Sequence, residues 1–280
     1  MENRIITREQ MKSFYSYLCS HERTKNTVEK YLRDITAFIA YSTGEITKDS
    51  VIAYKNHLQE QGYKVRSINS MLASLNAFFT FCGWNDLKVK SLRLQREVYC
   101  DESRELTRAE YERLCKAAQK KKNERLNLIL QTICGTGIRV SELAYITAEA
   151  VRNGEAVVHL KGKTRTVLLV RELQKKLLRY IEKQGITAGA VFVTKTGKPV
   201  SRTNIWREMK ALCRDADVAP EKVFPHNLRH LFARIFYGLE KDIAKLADIL
   251  GHSSIDTTRL YIITTEEEHR KCMENMRLII

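Results

Sequence analysis

Proline is nearly missing. The chain of 280 residues has three, at positions 199, 220 and 225, and none in roughly the first 195. That absence suits long uninterrupted helices. No run of about 18 apolar residues occurs, which excludes a conventional membrane-spanning helix, and Met1-Glu2-Asn3-Arg4 lacks the apolar core of a secretory leader. The seven cysteines (19, 82, 100, 115, 134, 213 and 272) are odd in number, widely spaced and never arranged as Cys-x-x-Cys. A disulfide framework and a thiolate zinc site are both excluded on that pattern, and the thiols are expected to be reduced, mostly core-filling and cytoplasmic. A Gly-rich loop ending in Lys-Ser or Lys-Thr is absent, as is a carboxylate cluster of the kind that holds Mg²⁺. No cofactor and no metal are therefore expected. Internal repeats and low-complexity tracts are lacking too.

What the chain has in excess is positive charge. Its formal net charge is +15. The first 100 residues carry 15 Lys and Arg against 10 Asp and Glu, and the remainder 33 against 23, so the excess is not confined to a tail. A basic surface spread over both parts points to a polyanionic partner, and wrapping around a DNA duplex fits it better than a disordered arm.

Apolar residues recur at intervals of three and four over residues 8–20, 25–42, 47–61 and 67–81. This spacing predicts four amphipathic helices joined by short connections, a small bundle occupying residues 1–90. Asn26 or Thr27 is expected to cap the second. Thr47 is expected to cap the third, with Ser50 three residues on and Gly62 as its stop. Residues 91–105 are charged and weakly periodic and read as a linker. Thr107 with Glu110 forms a capping box that opens a second domain over 106–280. Strand signals cluster in one place there. Residues 156–160 and 166–170 flank the turn Lys161-Gly162-Lys163-Thr164, and 190–193 is a candidate third strand. The fold class expected is mainly α with a small β-sheet.

Three short segments carry chemistry. Arg139 follows Gly135-Thr136-Gly137 and precedes a helical stretch from Val140 to Tyr145, where helix N–H groups favour anions, and Glu142 is placed to hold its guanidinium. His226 and Arg229, three apart behind Pro225, share a helix face. Arginine offers a planar fork matched to two phosphate oxygens, and histidine can move a proton. Gly251 stops the helix over 244–250. Beyond it come His252, a capping box of Ser253 with Asp256, and Tyr261 on a short helix nine residues past His252. Lys161 and Lys163 sit at a hairpin turn from which either could reach a DNA groove. Taken singly, each feature is what an ordinary basic surface shows. Two guanidiniums, two imidazoles and a phenol in this order are a set for transferring a phosphodiester.

The order resembles the tyrosine recombinase (phage integrase) family, in its compact two-domain, Xer-like or transposon-integrase type. Thr136-Gly137-Ile138-Arg139-Val140-Ser141-Glu142-Leu143, His226-Asn227-Leu228-Arg229-His230-Leu231-Phe232-Ala233 and Leu250-Gly251-His252 through Arg259-Leu260-Tyr261 are similar to its three boxes. The likeness covers the whole chain. It implies a SAM-like core-binding bundle, a tyrosine-recombinase catalytic domain and a C-shaped clamp on duplex DNA. It also implies catalytic roles for Arg139, Lys161, His226, Arg229, His252 and Tyr261. The arginines would clamp the scissile phosphate, His226 would assist proton transfer and His252 would bond the phosphate. Tyr261 would become a 3′-phosphotyrosine and Lys161 would protonate the leaving 5′-oxygen, without metal or ATP. Partners implied are double-stranded DNA with inverted half-sites, a homo-tetramer on two such sites and accessory proteins in some members. The tail helix 266–280 would dock into a neighbouring protomer, its own core being the other candidate. The chain departs from the pattern at a hairpin about one residue short, at Leu160 before Lys161, at Arg234 where threonine is common and at Ile262-Ile263 after the tyrosine. The short hairpin leaves Lys161 and Lys163 as alternatives for the lysine. A DNA-binding protein without catalysis and a type IB topoisomerase are the competing classes. Element mobility, inversion and dimer resolution all fit the composition.

Overall fold

Three of the four α-helices described in the first part of the chain start where a threonine hydroxyl takes up a free N–H group. The computed structural model describes residues 4–42, 44–94, 102–160, 163–262, 270 and 273–276. Its contacts divide the chain into two units, Met1–Arg96 and Glu97–Ile280.

The first unit contains α1 (Arg8–Ser20), α2 (Lys25–Tyr41), α3 (Lys48–Glu60) and α4 (Val65–Phe81). Thr7 and Thr47 cap α1 and α3 in reciprocal boxes with Gln10 and Ser50. The cap of α2 is Thr24, whose side chain accepts from the Thr27 N–H, so the helix starts before the expected Asn26 or Thr27. Phe14, Ile35, Phe38, Leu72, Leu75, Phe78 and Phe79 form a fully buried core. The buried carboxylate of Asp34 is matched by Lys30 at 2.6 Å and by the Ser74 hydroxyl at 2.8 Å, which offsets its desolvation. Packing continues past residue 90. Asn69 and Asn76 bond the backbone of Leu92 and Val89 through both their amide oxygen and nitrogen.

The second unit is built around α6 (Glu124–Thr136), flanked by α5 (Arg108–Lys120), α8 (Arg171–Gln184) and α11 (Pro225–Glu240). Leu126, Leu128, Ile129, Leu130 and Ile133 are buried around most of the circumference of α6, the mark of a central helix. The remaining elements are a 3₁₀ turn (Val140–Tyr145), α7 (Ala148–Asn153), β1 (Glu155–Leu160), β2 (Lys163–Leu168), α9 (Arg202–Lys210), α10 (Cys213–Ala216), α12 (Ile243–Leu250) and α13 (Ile255–Arg259). Thr107 caps α5 in the expected box with Glu110.

The sheet is a single antiparallel pair in which Glu155 faces Leu168 and Leu160 faces Lys163. The hairpin is tighter than expected, because Lys163 already belongs to β2. The expected third strand is absent among the described residues. Val191 and Phe192 are buried, but the Val191 N–H bonds Ile146 and the Phe192 carbonyl accepts from Val200, so no one neighbour builds a ladder. Of the described cysteines Cys213 is buried in the core of the second unit, Cys82, Cys115 and Cys134 pack against a core while half-buried, and Cys19 is exposed, so most fill core space as expected. Among the described residues no helix is long and apolar enough to cross a membrane. Residues 161 and 162 and most of the expected tail helix 266–280 lie outside the described residues.

Candidate active site

The floor of the site is set by two helix ends. Gly137 closes α6 in the left-handed region (φ 64°), with its N–H on the Ile133 carbonyl. A Cβ there would lie 2.6 Å from the Phe232 ring and 2.9 Å from Leu250, so both the backbone turn and the close packing require glycine. Gly251 closes α12 with the same φ, and a Cβ on it would run into the Arg165 side chain.

From the first of these ends the chain passes to Arg139, which caps the 3₁₀ turn. Glu142, 1% exposed, is its anchor. The carboxylate accepts from the Arg139 backbone N–H at 2.9 Å and Nη1 at 2.8 Å, and from Arg165 Nη2 at 2.6 Å. Burial pushes the Glu142 carboxyl up, but the Arg139 bonds and the Arg165 charge outweigh it and hold the group below the usual carboxylate range. A depressed carboxylate stabilises the fold at pH values above the unfolded value, 4.5 for Glu, and that contribution is lost on acidification below it. Glu142→Gln should therefore lower stability by about 3 kcal/mol at pH 7. The deficit should shrink as pH falls below 4.5, measured by urea denaturation across pH.

Arg229 lies one turn into α11, whose first residue is Pro225. At 1% exposure it is the largest fully buried side chain described. Its Nη1 donates to the Gly137 carbonyl at 2.5 Å, and its Nη2 donates to the Leu250 carbonyl at 2.8 Å and meets His252 Nε2 at 2.9 Å. Among the described residues it has no carboxylate partner, and Nε has no hydrogen-bond partner. Burial, then the nearby Arg139 charge, lowers its guanidinium to about 10, with Tyr261 opposing, so it stays charged at neutral pH. A buried cation held by carbonyls, an imidazole and a neighbouring phenol, none of them a carboxylate, favours an anion beside it.

The imidazole of His252 completes that contact. A guanidinium only donates, so Nε2 accepts and the proton sits on Nδ1, which donates to Thr258 Oγ1 at 2.9 Å. Thr258 belongs to α13, capped by Ser254 and not by the expected Ser253. The Tyr261 N–H bonds the Thr258 carbonyl at 2.9 Å, which fixes the start of the segment bearing the phenol. The Tyr261 ring is 7% exposed. It lies 5.1 Å from the His252 ring, 5.3 Å from His226 and 4.2 Å from His230, centroid to centroid, with Arg229 Cζ at 5.8 Å.

Burial, then the charges of Arg229 and Arg139, pushes the half-buried His252 down to about 4. Burial, then His230, Arg229 and Arg139, does the same to His226, also to about 4. The His226 residue is nonetheless exposed overall, so repulsion by the two guanidiniums is the durable part of its shift. Both rings are neutral at pH 7, and His226 is able to accept a proton.

Arg139, His226, Arg229, His252 and Tyr261 thus converge on one locus. Lys161 lies outside the described residues, and Lys163 opens β2 next to it. The sequence reading assigned no role to Arg165, His230 or Glu105. Arg165 could have been found from strand alternation, since it shares a face with buried Val167 and Leu169, where a charge needs a partner. His230 is four residues from His226 and so on the same face of α11. Nothing local marks Glu105.

The chain as a whole is similar to known proteins. The phage integrase family model matches residues 104–268, and the model for the phage integrase N-terminal SAM-like domain matches residues 11–85. The chain is 28% identical over 288 residues to the tyrosine recombinase XerA of Pyrococcus furiosus, spanning 100% of this chain and 98% of that protein. In three dimensions it is similar to a lambda integrase dimer bound to a core site, with a TM-score of 0.75 at 18% identity over 92% of this chain and 95% of that one. It is also similar to a lambda integrase tetramer bound to a Holliday junction, with a TM-score of 0.74 at 19% identity over 93% of this chain and 78% of that one.

Proposed function

The chain belongs to the phage integrase family, and from that premise we propose that it cuts and rejoins DNA at specific sites through a covalent 3′-phosphotyrosine. Site-specific recombination is the activity of its Xer relatives as a class. The observation that carries the chemical reading is Arg229, a buried guanidinium with no carboxylate partner among the described residues, beside Arg139, two neutral imidazoles and a buried phenol.

In this scheme a phosphodiester enters between Arg139 and Arg229. Each guanidinium then supplies hydrogen bonds to the non-bridging oxygens as their charge grows. The Tyr261 oxygen attacks phosphorus while the bond to the 5′-oxygen breaks. His226 takes the phenol proton, and His252 holds a phosphate oxygen through its one N–H once the ring turns so that Nδ1–H leaves Thr258 Oγ1. The departing 5′-oxygen receives a proton from the hairpin lysine, Lys161 or Lys163. A free 5′-hydroxyl of the second strand reverses the step. The bond energy is retained in the tyrosyl phosphate, so ATP is not called on, and the guanidiniums provide the positive charge otherwise supplied by a metal.

The partner is double-stranded DNA with inverted half-sites, and two such sites held by four protomers would permit strand exchange. With a net charge of +15 the protein should contact many phosphates. DNA affinity is expected to fall by roughly 10³ or more between about 50 and 200 mM salt, read by fluorescence anisotropy. A flat dependence over that range would contradict wrapping.

The test of the reaction is a nicked duplex carrying a selected site, incubated with the protein in EDTA and run on a denaturing gel. A covalent protein–DNA band joined to the 3′-phosphate is the expected result. Specific binding without that band would leave a DNA-binding protein. Relaxation of supercoiled DNA without exchange between two sites would mean a topoisomerase.

A further inference from the structure

Among the described rings around Tyr261 the nearest is His230, at 4.2 Å between centroids and 35° between planes, whereas His252 is at 5.1 Å and His226 at 5.3 Å. His230 sits on α11 one turn beyond His226, with 4.8 Å between their rings. Its other edge meets a carboxylate, since Nδ1 is 3.7 Å from Glu105 Oε1. The contact is sheltered, with the His230 and Glu105 side chains 19% and 17% exposed.

Glu105 lies in the short stretch between a 3₁₀ turn (Glu102–Arg104) and α5, and α11 holds that stretch on both sides of it. Asn227 Nδ2 donates to the Arg104 carbonyl at 2.8 Å. Arg234 Nη2 donates to the Leu106 carbonyl at 2.6 Å. The Arg234 Nε also lies 3.6 Å from Glu105 Oε2, so the second oxygen faces a cation while the first faces the imidazole. Two backbone ties and the Arg234 cation, all from one helix, therefore aim a single carboxylate at the imidazole that touches the phenol. Arg234 stands where the family resemblance led us to expect threonine, so this clamp belongs to the particular residues of this chain.

We propose that His230, oriented by Glu105, is a positioning residue for the Tyr261 nucleophile. It acts by fixing the plane of the phenol between Arg229 and His252. A carboxylate on one imidazole nitrogen fixes ring orientation and tautomer, and here the oriented ring face serves as the wall against which the phenol lies. Small errors in the approach of a nucleophile are expensive: a displacement of about 1 Å can cost on the order of 10²-fold in rate. The inference rests on the recombinase reading above.

The experiment is single-turnover cleavage of the nicked duplex by the full chain carrying Glu105→Gln, Glu105→Asp, His230→Phe or Glu105→Gln with His230→Phe. DNA affinity, final amplitude of covalent complex and melting temperature are followed for each. Expected are unchanged affinity and amplitude, with cleavage slowed about 10-fold by Glu105→Gln and at least as much by His230→Phe. Glu105→Asp, which keeps the charge, should retain more rate than Glu105→Gln, which keeps the size. The double variant should be no slower than His230→Phe, because both changes break one unit. Parental rates in Glu105→Gln and His230→Phe, a faster Glu105→Gln than Glu105→Asp, or multiplying defects would each overturn the proposal. If His230→Phe does not fold, the two Glu105 variants decide it.

Absence of any covalent complex with the parent would instead count against the recombinase reading. The pair is then judged in the free protein by the ¹³Cζ resonance of Tyr261, assigned by its loss in Tyr261→Phe. A shift of that resonance in Glu105→Gln supports the pair, and an unmoved resonance overturns it.

Discussion

Tyr261→Phe is expected to bind DNA as the parent does and to form no detectable covalent complex, a loss of roughly 10⁴-fold or more in cleavage. The substitution removes one oxygen and leaves the ring. The packing of that ring against His226, His230 and His252 is made by its faces and edges, so the surrounding structure survives. The phenol also lies beside Arg229, and losing that contact removes one polar interaction from a guanidinium that keeps its bonds to the Gly137 and Leu250 carbonyls. A melting temperature within a few degrees of the parent is expected, because one hydrogen bond contributes about 1 kcal/mol. The outcome to look for is binding with chemistry abolished. A residual covalent band in Tyr261→Phe would move the nucleophile elsewhere, to another of the twelve tyrosines.

Arg229→Lys is expected to slow cleavage by about 10²–10³-fold and to destabilise the fold as well. The two effects have separate origins. In the folded protein the guanidinium spans the Gly137 and Leu250 carbonyls and reaches His252 Nε2 with one planar fork. A lysine ammonium is a point charge on a flexible stem and cannot satisfy all three while also facing a phosphate. One buried carbonyl left without a donor costs about 1–3 kcal/mol. The loss of stability is measured as a lower urea midpoint, and the loss of transition-state bonding as a lower single-turnover rate at saturating DNA. A Lys variant that cleaves at the parental rate would show that charge alone suffices and that the fork geometry is incidental.

These effects were legible in the sequence to different depths. The capping boxes at Thr47 with Ser50 and at Thr107 with Glu110 were readable, since a cap acts over three residues of one strand of chain. Gly251 as the end of α12 was readable for the same reason, since a left-handed residue is a local requirement, whereas Gly137 as the end of α6 was not, the helix running through Gly135 and Thr136 where the sequence suggested a loop. Arg139, His226, Arg229, His252 and Tyr261 were readable as an ordered set of chemical types. Their convergence on one locus was disclosed only by the fold, and their catalytic roles belong to the proposed reaction. The cap of α2 at Thr24 and that of α13 at Ser254 were missed by two or three residues and by one, although α2 begins at Lys25 as expected. Several hydroxyl and amide side chains stand near each start, and only packing of the helix selects among them.

What the sequence alone determined is the local grammar: which segments are helices, where most of them begin and stop, and which side chains carry reactive groups. The tertiary structure decided everything that depends on residues far apart in the chain. It withheld a ladder from 190–193, whose backbone partners are Ile146 and Val200 and not a neighbouring strand. It put Arg165 on Glu142 and so gave one buried carboxylate two guanidiniums to hold. It left Arg229 buried with no carboxylate partner among the described residues, which no inspection of its helix could disclose. It brought Glu105 to His230, 125 positions later in the chain, through bonds that α11 makes to the neighbouring backbone. Burial and ion pairing are properties of where chains cross, and a one-dimensional string records only which groups are available to meet there.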